Sequence, residues 1–183
     1  RPEIDWREVL REFIQSVCAG NDFSTWSRPN RRFVSAGVYM PSGITERVED
    51  LVITMDTSAS IRQRELTAFL SEVVEIARMV RPERVRLLYW DTEVVRDELY
   101  TGAEIDSIAR STKPAGGGGT DVLCVTRYME DNDIKPQAVI TFTDGYIYRG
   151  WGEWSCPVLW AIYDNNQAKP DCGKVVHIGR NKL

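Results

Sequence analysis

Four short apolar runs dominate the chain: Leu51–Met55, Val85–Trp90, Ala138–Thr143 and Pro157–Tyr163. The first is what a strand buried on both faces looks like, and the other three read as strands as well. Stretches of helical periodicity separate the first three. Between Ile61 and Val80, residues Ile61, Leu66, Phe69, Leu70, Val73, Ile76, Ala77 and Val80 form one stripe, and Pro82 closes it. Gly102–Arg110 reads as a short helix. Thr120–Asp131 reads as another, with Val122, Val125, Tyr128 and Met129 on one face. Glu93–Tyr100 follows a two-residue turn after the second run, so it reads as an antiparallel neighbour, and Lys174–Ile178 reads as a last strand. Alternating strands and helices predict an α/β fold: a doubly wound, mostly parallel sheet with one antiparallel edge strand and helices on both faces.

The segment before residue 51 is less regular. Asp5 and Glu8 fit a capping box ahead of a helix carrying Ile4, Val9, Leu10, Phe13, Ile14 and Val17, which Gly20 ends. Residues 21–33 read as a connecting loop, and Val34–Met40 as an edge strand ending at Pro41. Arg28, Arg31 and Arg32 read as a solvated loop or an anion-binding spot.

Composition limits the function classes. Of 183 residues, 43% are hydrophobic, enough to bury a core. The net charge of −4 argues against a dedicated nucleic-acid binder, and no apolar run approaches the length of a membrane span. The chain begins at Arg1 without a signal-peptide pattern, which reads as a cytoplasmic piece of a longer protein. Cys18, Cys124, Cys156 and Cys172 include no C-x-x-C pair; Cys18 and Cys124 read as small buried hydrophobes, while a Cys156–Cys172 disulfide stays open. The single histidine, His177, reads as a strand residue.

In a sheet of this kind ligands collect at the carboxyl ends of the strands. Asp56-Thr57-Ser58-Ala59-Ser60 follows the first run, Gly116–Asp121 precedes a helix, and Thr143-Asp144-Gly145 follows the third run. Each has a local explanation. Ser60 with Gln63 makes a capping box, Thr120 an N-cap, and Asp144-Gly145 a turn. Together they bring two carboxylates and three hydroxyls to one crevice. That all-oxygen set suits a hard dication such as Mg²⁺ and disfavours zinc or copper.

This set resembles the metal-ion-dependent adhesion site of von Willebrand factor A-type (VWA) domains. The matching residues are the D-x-S-x-S of 56–60, a threonine after a glycine-rich loop at 120, and an aspartate after a buried strand at 144. The resemblance covers about residues 48–180. Gly116–Asp121, Phe142–Tyr146 and Arg28–Phe33 bring it closest to the VWA-like domains that follow a metallopeptidase-like region in bacterial and phage proteins. It implies that residues 1–33 are a helix and linker ending the preceding region, with the VWA-like domain at 34–183. The peptidase motif is not in this chain, so that activity is not carried over. Two departures are Ala59, where many family members have glycine, and the absence of a C-terminal helix. Either one sheet face is then less covered or the first helix fills the place.

The resemblance further implies a protein-interaction module. Ser58 and Ser60 would hold Mg²⁺ (or Mn²⁺ or Ca²⁺) directly, with Asp56, Thr120 and Asp144 direct or through water, and a partner's Asp or Glu would complete the sphere. Tyr146, Tyr148, Arg149, Trp151 and Trp154 are residue types of interface hot spots and read as a partner-binding rim or as a small satellite core. By family analogy the partner class includes a MoxR-type AAA+ ATPase. The competing readings are a Mg²⁺-dependent phosphoryl-transfer enzyme or hydrolase, and a nucleic-acid-binding VWA variant. Ser58 stands where a haloacid-dehalogenase pattern needs a second aspartate, no lysine follows the glycines, and no G-x-S-x-G elbow is present.

Overall fold

A computed structural model of the chain describes residues 5–18, 23–29, 41–44, 50–114 and 117–183. Its centre is a six-stranded sheet in the order β5-β4-β3-β6-β7-β8. The strands are β3 (Asp50–Asp56), β4 (Arg84–Trp90), β5 (Val94–Thr101), β6 (Ala138–Thr143), β7 (Val158–Tyr163) and β8 (Lys174–Ile178). All neighbours are parallel except β4 and β5, so β5 is the antiparallel edge expected. β3, β6 and β7 carry almost no exposed residue, which is why they read as unbroken apolar runs. β5 alternates exposed and half-buried positions, as an edge strand wet on one face does.

From β3 the chain winds outward through β4 and β5, then returns to lay β6 on the other side of β3 and continues to β7 and β8. The direction of winding reverses between β3 and β6. The loops leaving their carboxyl ends diverge there and open a crevice.

Helices cover both faces. On one, α1 (Trp6–Cys18), α2 (Gln63–Val80) and a 3-10 helix (Gly102–Arg110) pack on Leu51, Ile53, Met55, Leu87, Ile140 and Phe142. α2 turns Leu66, Phe69, Leu70, Val73, Val74, Ile76 and Ala77 inward and ends on a left-handed Arg81 before Pro82. Each large apolar side chain buried this way contributes about 1.5–3 kcal/mol. Phe69 stacks on Phe142 with ring centres 4.4 Å apart and on Trp6 at 6.0 Å, tying α1, α2 and β6 together. α1 buries Trp6, Leu10, Phe13 and Ile14 in this same core, so the first helix does cover the sheet, packing on α2 and reaching β8. On the other face α3 (Leu123–Asp131) sets Val125 and Met129 over Val52, Leu88, Trp90, Val139 and Trp160.

Three expectations are corrected. Residues 21–33 are not all loop: β1 (Phe23–Pro29) pairs antiparallel with β2 (Pro41–Ile44), as Phe, Thr and Trp favour. The long helix begins at Gln63, not Ile61, and Ser60 does not cap it; Arg62 is the N-cap and no side chain bonds there. The last helix begins at Leu123, not Thr120. The Thr120 carbonyl accepts from Tyr148 N (3.0 Å) and Asp121 N donates to Asp91 O (2.8 Å), which holds 120–121 out of helical conformation. The Asp121 carboxylate instead accepts from Leu123 N (3.1 Å). The expected strand at Val34–Met40 and the arginines at 31 and 32 lie outside the described residues, apart from Met40's neighbour Pro41 in β2. Cys156 and Cys172 are free thiols. Among the described residues no helix is long and apolar enough to cross a membrane.

Candidate functional site

The crevice between β3 and β6 is organised around Asp56, the last residue of β3. Its side chain is fully buried, on the same sheet face as Thr54 and Val52. The Asp56 carboxylate accepts from Ser58 N (2.8 Å) at Oδ1 and from the Thr143 hydroxyl (2.7 Å) at Oδ2. One level deeper the Thr54 and Thr141 hydroxyls bond each other at 3.1 Å, so the polar stripe runs along both strands in register. Burial pushes the Asp56 carboxyl above its ordinary range. The bonds from Ser58 and Thr143 pull it down, and the charge of Asp144 pushes it up again.

Ser58 and Ser60 stand on the turn after β3, their hydroxyl oxygens 3.0 Å apart. The Ser60 hydroxyl donates to Asp144 Oδ2. Its partner is therefore a carboxylate 84 residues away, not the helix it precedes. Asp144, nearly buried, sits in a tight turn: Oδ1 accepts from Tyr146 N (3.2 Å), and its carbonyl accepts from the Asn165 amide (2.8 Å). Gly145 has φ +74°, and a Cβ there would stand 2.5 Å from the Cβ of Ala168, so only glycine turns the chain at this point.

Asp56, Ser58, Ser60 and Asp144 are thus brought together. Thr120 is half-buried on the same rim, tied through its carbonyl to Tyr148; among the described residues no hydrogen bond joins its hydroxyl to the other four. The Gly loop ahead of it passes close over Asp91: a Cβ on Gly118 would meet Asp91 Oδ2 at 3.0 Å.

Two supports were not singled out from the sequence. Thr143 reads as an ordinary strand residue, yet it donates to Asp56 and accepts from Gly145 N (3.0 Å). Lys113 reaches across from the segment after the 3-10 helix and donates to the carbonyls of Ser58 and Ile61, the latter at 2.5 Å. Gln63 doubles this clasp: its side chain accepts from Lys113 N (2.6 Å) and donates to Ser111 O (3.1 Å). Burial lowers the Lys113 ammonium below its ordinary value, while Asp56, Asp144 and Glu65 raise it. The signals for Thr143 were its place in the polar segment Thr143-Asp144-Gly145 and its register opposite the end of β3. Nothing local pointed to Lys113.

The aromatic rim divides. Tyr146 and Tyr148 are exposed, at 70% and 87% of their surface. Trp151 and Trp154 are half-buried and meet Trp160 edge-on at 4.9 and 5.8 Å, a satellite core under the loop. Arg149 lies 3.9 Å from Asp121.

The donors at the crevice are all oxygen. Among the described residues no three His, Cys, Asp or Glu side chains gather; here two carboxylates are completed by hydroxyls. This donor set, with a buried carboxylate whose neighbour is another carboxylate, fits a hard divalent cation.

This is a doubly wound α/β domain with a polar crevice at its topological switch point, and the chain belongs to the family described as "VWA-like domain (DUF2201)", whose model matches residues 51–179. A second family model, described as "Putative metallopeptidase domain", matches residues 1–45. A protein of Thermotoga maritima described as "Uncharacterized protein" is 29% identical over 145 residues, covering 79% of this chain and 34% of that protein. The chain therefore spans about a third of that relative's length. The crystal structure of the ArnB paralog VWA2 from Sulfolobus acidocaldarius aligns with a TM-score of 0.39 at 12% identity, over 63% of this chain and 34% of that one.

Proposed function

We propose that this domain is a divalent-metal-dependent protein-interaction module. Asp56, Ser58, Ser60, Thr120 and Asp144 would hold Mg²⁺, with Mn²⁺ or Ca²⁺ as substitutes, and a partner's Asp or Glu carboxylate would complete the coordination. The observation that carries this reading is the convergence of Ser58, Ser60 and Asp144 beside the buried Asp56 at the carboxyl ends of adjacent parallel strands. Two carboxylates neutralise a dication and neutral hydroxyls add no charge, so the bound ion would stay attractive to an incoming anion.

The chain's own residues do the rest. Thr143 and Ser58 N orient the Asp56 carboxylate, Lys113 clasps the turn that carries both serines, and Gly145 lets Asp144 face them. The same reading makes the module part of a larger cytoplasmic protein or assembly, with a MoxR-type AAA+ ATPase as one partner class.

Calorimetric titration of Mg²⁺ and Mn²⁺ into the wild type and Asp56→Ala tests it. One site per chain is expected in the wild type and none in the variant. Equal behaviour of the two proteins would overturn the reading.

A further inference from the structure

Beside Ser60 opens a cavity of about 430 Å³ whose polar walls are Arg62, Arg64, Glu65, Tyr163, Arg180 and Asn181. Arg62 and Arg64 are exposed, and neither forms an ion pair among the described residues. Arg180 bonds Asp164 at 3.1 Å and remains mostly exposed. Three guanidiniums thus line the cavity beside the one side-chain carboxylate in its wall, that of Glu65, and of the three only Arg180 has an ion-pair partner among the described residues, Asp164. Glu65 adds a demand of the opposite kind: its Oε2 is buried without a hydrogen-bond partner among the described residues, while Oε1 lies 3.5 Å from the Tyr163 hydroxyl.

We infer that this cavity is the second half of the partner site and takes an acidic peptide segment. One carboxylate of that segment would sit at the crevice and a second, a few residues along, among Arg64, Arg62 and Arg180. Ser60 is a wall of the cavity and a residue of the crevice, so the two are contiguous. A guanidinium pairs with a carboxylate through two parallel hydrogen bonds, which gives direction as well as attraction. The orphaned Glu65 oxygen calls for a donor. A peptide supplies both, a side-chain carboxylate and a backbone N–H, whereas a fully deprotonated inorganic anion such as sulfate supplies only acceptors. The inference rests on the metal-site reading for the first carboxylate and adds the spacing of a second.

The test uses the full chain and blocked, fluorescein-labelled glycine peptides carrying either one Asp, or one Asp followed by a Glu one, two or three residues later. Anisotropy in Mg²⁺ is read for the wild type and for Arg64→Ser/Arg180→Ser, both exposed positions. One two-acid peptide is expected to bind the wild type about tenfold tighter than the one-acid peptide. The double variant should reduce that preference to under about twofold, leave Mg²⁺ affinity unchanged, and melt within a few degrees of the wild type. The preference should also shrink as salt rises from about 0.05 to 0.5 M. A preference that survives the double variant, or no preference in any peptide, overturns the inference. Arginine-dependent binding indifferent to chelator would instead overturn the metal-site reading and detach the cavity from it.

Discussion

Replacing Thr143 by Val isolates one hydrogen bond at the bottom of the crevice. The two side chains have nearly the same shape, so no cavity opens; only the hydroxyl is lost. That hydroxyl donates to Asp56 Oδ2 at 2.7 Å and accepts from Gly145 N at 3.0 Å, and Thr143 and Asp56 are both fully buried. A hydrogen bond to a charged group contributes about 1.5–3 kcal/mol, and water reaches neither buried partner to replace it. Gly145 is half-buried, so its freed N–H finds solvent at smaller cost. The expected loss is about 2–3 kcal/mol in urea unfolding at neutral pH without added metal. Asp56 also loses one of the two contacts that orient it. By the usual effect of removing a bond that aims a ligand, Mg²⁺ should bind about 10–100-fold more weakly. Thr143→Ser keeps the hydroxyl and should recover most of the metal affinity. A Thr143→Val protein within about 0.5 kcal/mol of the wild type, with unchanged Mg²⁺ affinity, would refute the reasoning.

Gly145→Ala should lose roughly 2–5 kcal/mol in the same assay, because a left-handed alanine and a methyl group 2.5 Å from Ala168 Cβ are both unfavourable. Lys113→Met removes two hydrogen bonds from the turn carrying Ser58 and Ser60; as the lysine is only half-buried, the expected loss is about 1–2 kcal/mol, with several-fold weaker Mg²⁺ binding by calorimetry. Burial pushes the Cys124 thiol up to about 12 and the Cys156 thiol up to about 11. Both folded values exceed the unfolded one, so the stability they add is full below the ordinary thiol range and is lost as pH rises through 11 and 12. Iodoacetamide at pH 8 should therefore modify both thiols far more slowly in the native protein than in urea, and equal rates would contradict this.

The sheet was legible because strands buried on both faces are largely apolar: β7 is apolar throughout, β3 and β6 break their runs only with threonines and β3's end aspartates, and β4 only with Arg84 and Arg86 at its less buried start. Asp56, Ser58, Ser60 and Asp144 were legible because polar residues immediately after such strands have only the crevice to enter. Ser60 shows where local reading stops: its hydroxyl could cap the following helix or meet Asp144, and only the packing of β6 beside β3 decides. Lys113 was hidden for a related reason, since its partners Ser58 and Ile61 lie more than 50 residues upstream. The strand at 23–29 was obscured by its polar, proline-ended sequence, and the late start of α3 by backbone bonds to Asp91 and Tyr148 that no local rule foresees.

The most direct measurement is anomalous scattering from a crystal grown with Mn²⁺. The account predicts a single strong peak enclosed by Ser58, Ser60, Thr120 and Asp144, with Asp56 within reach of a bridging water. Ordered side chains around that crevice with no peak between them, or a peak bound elsewhere on the chain, would contradict it.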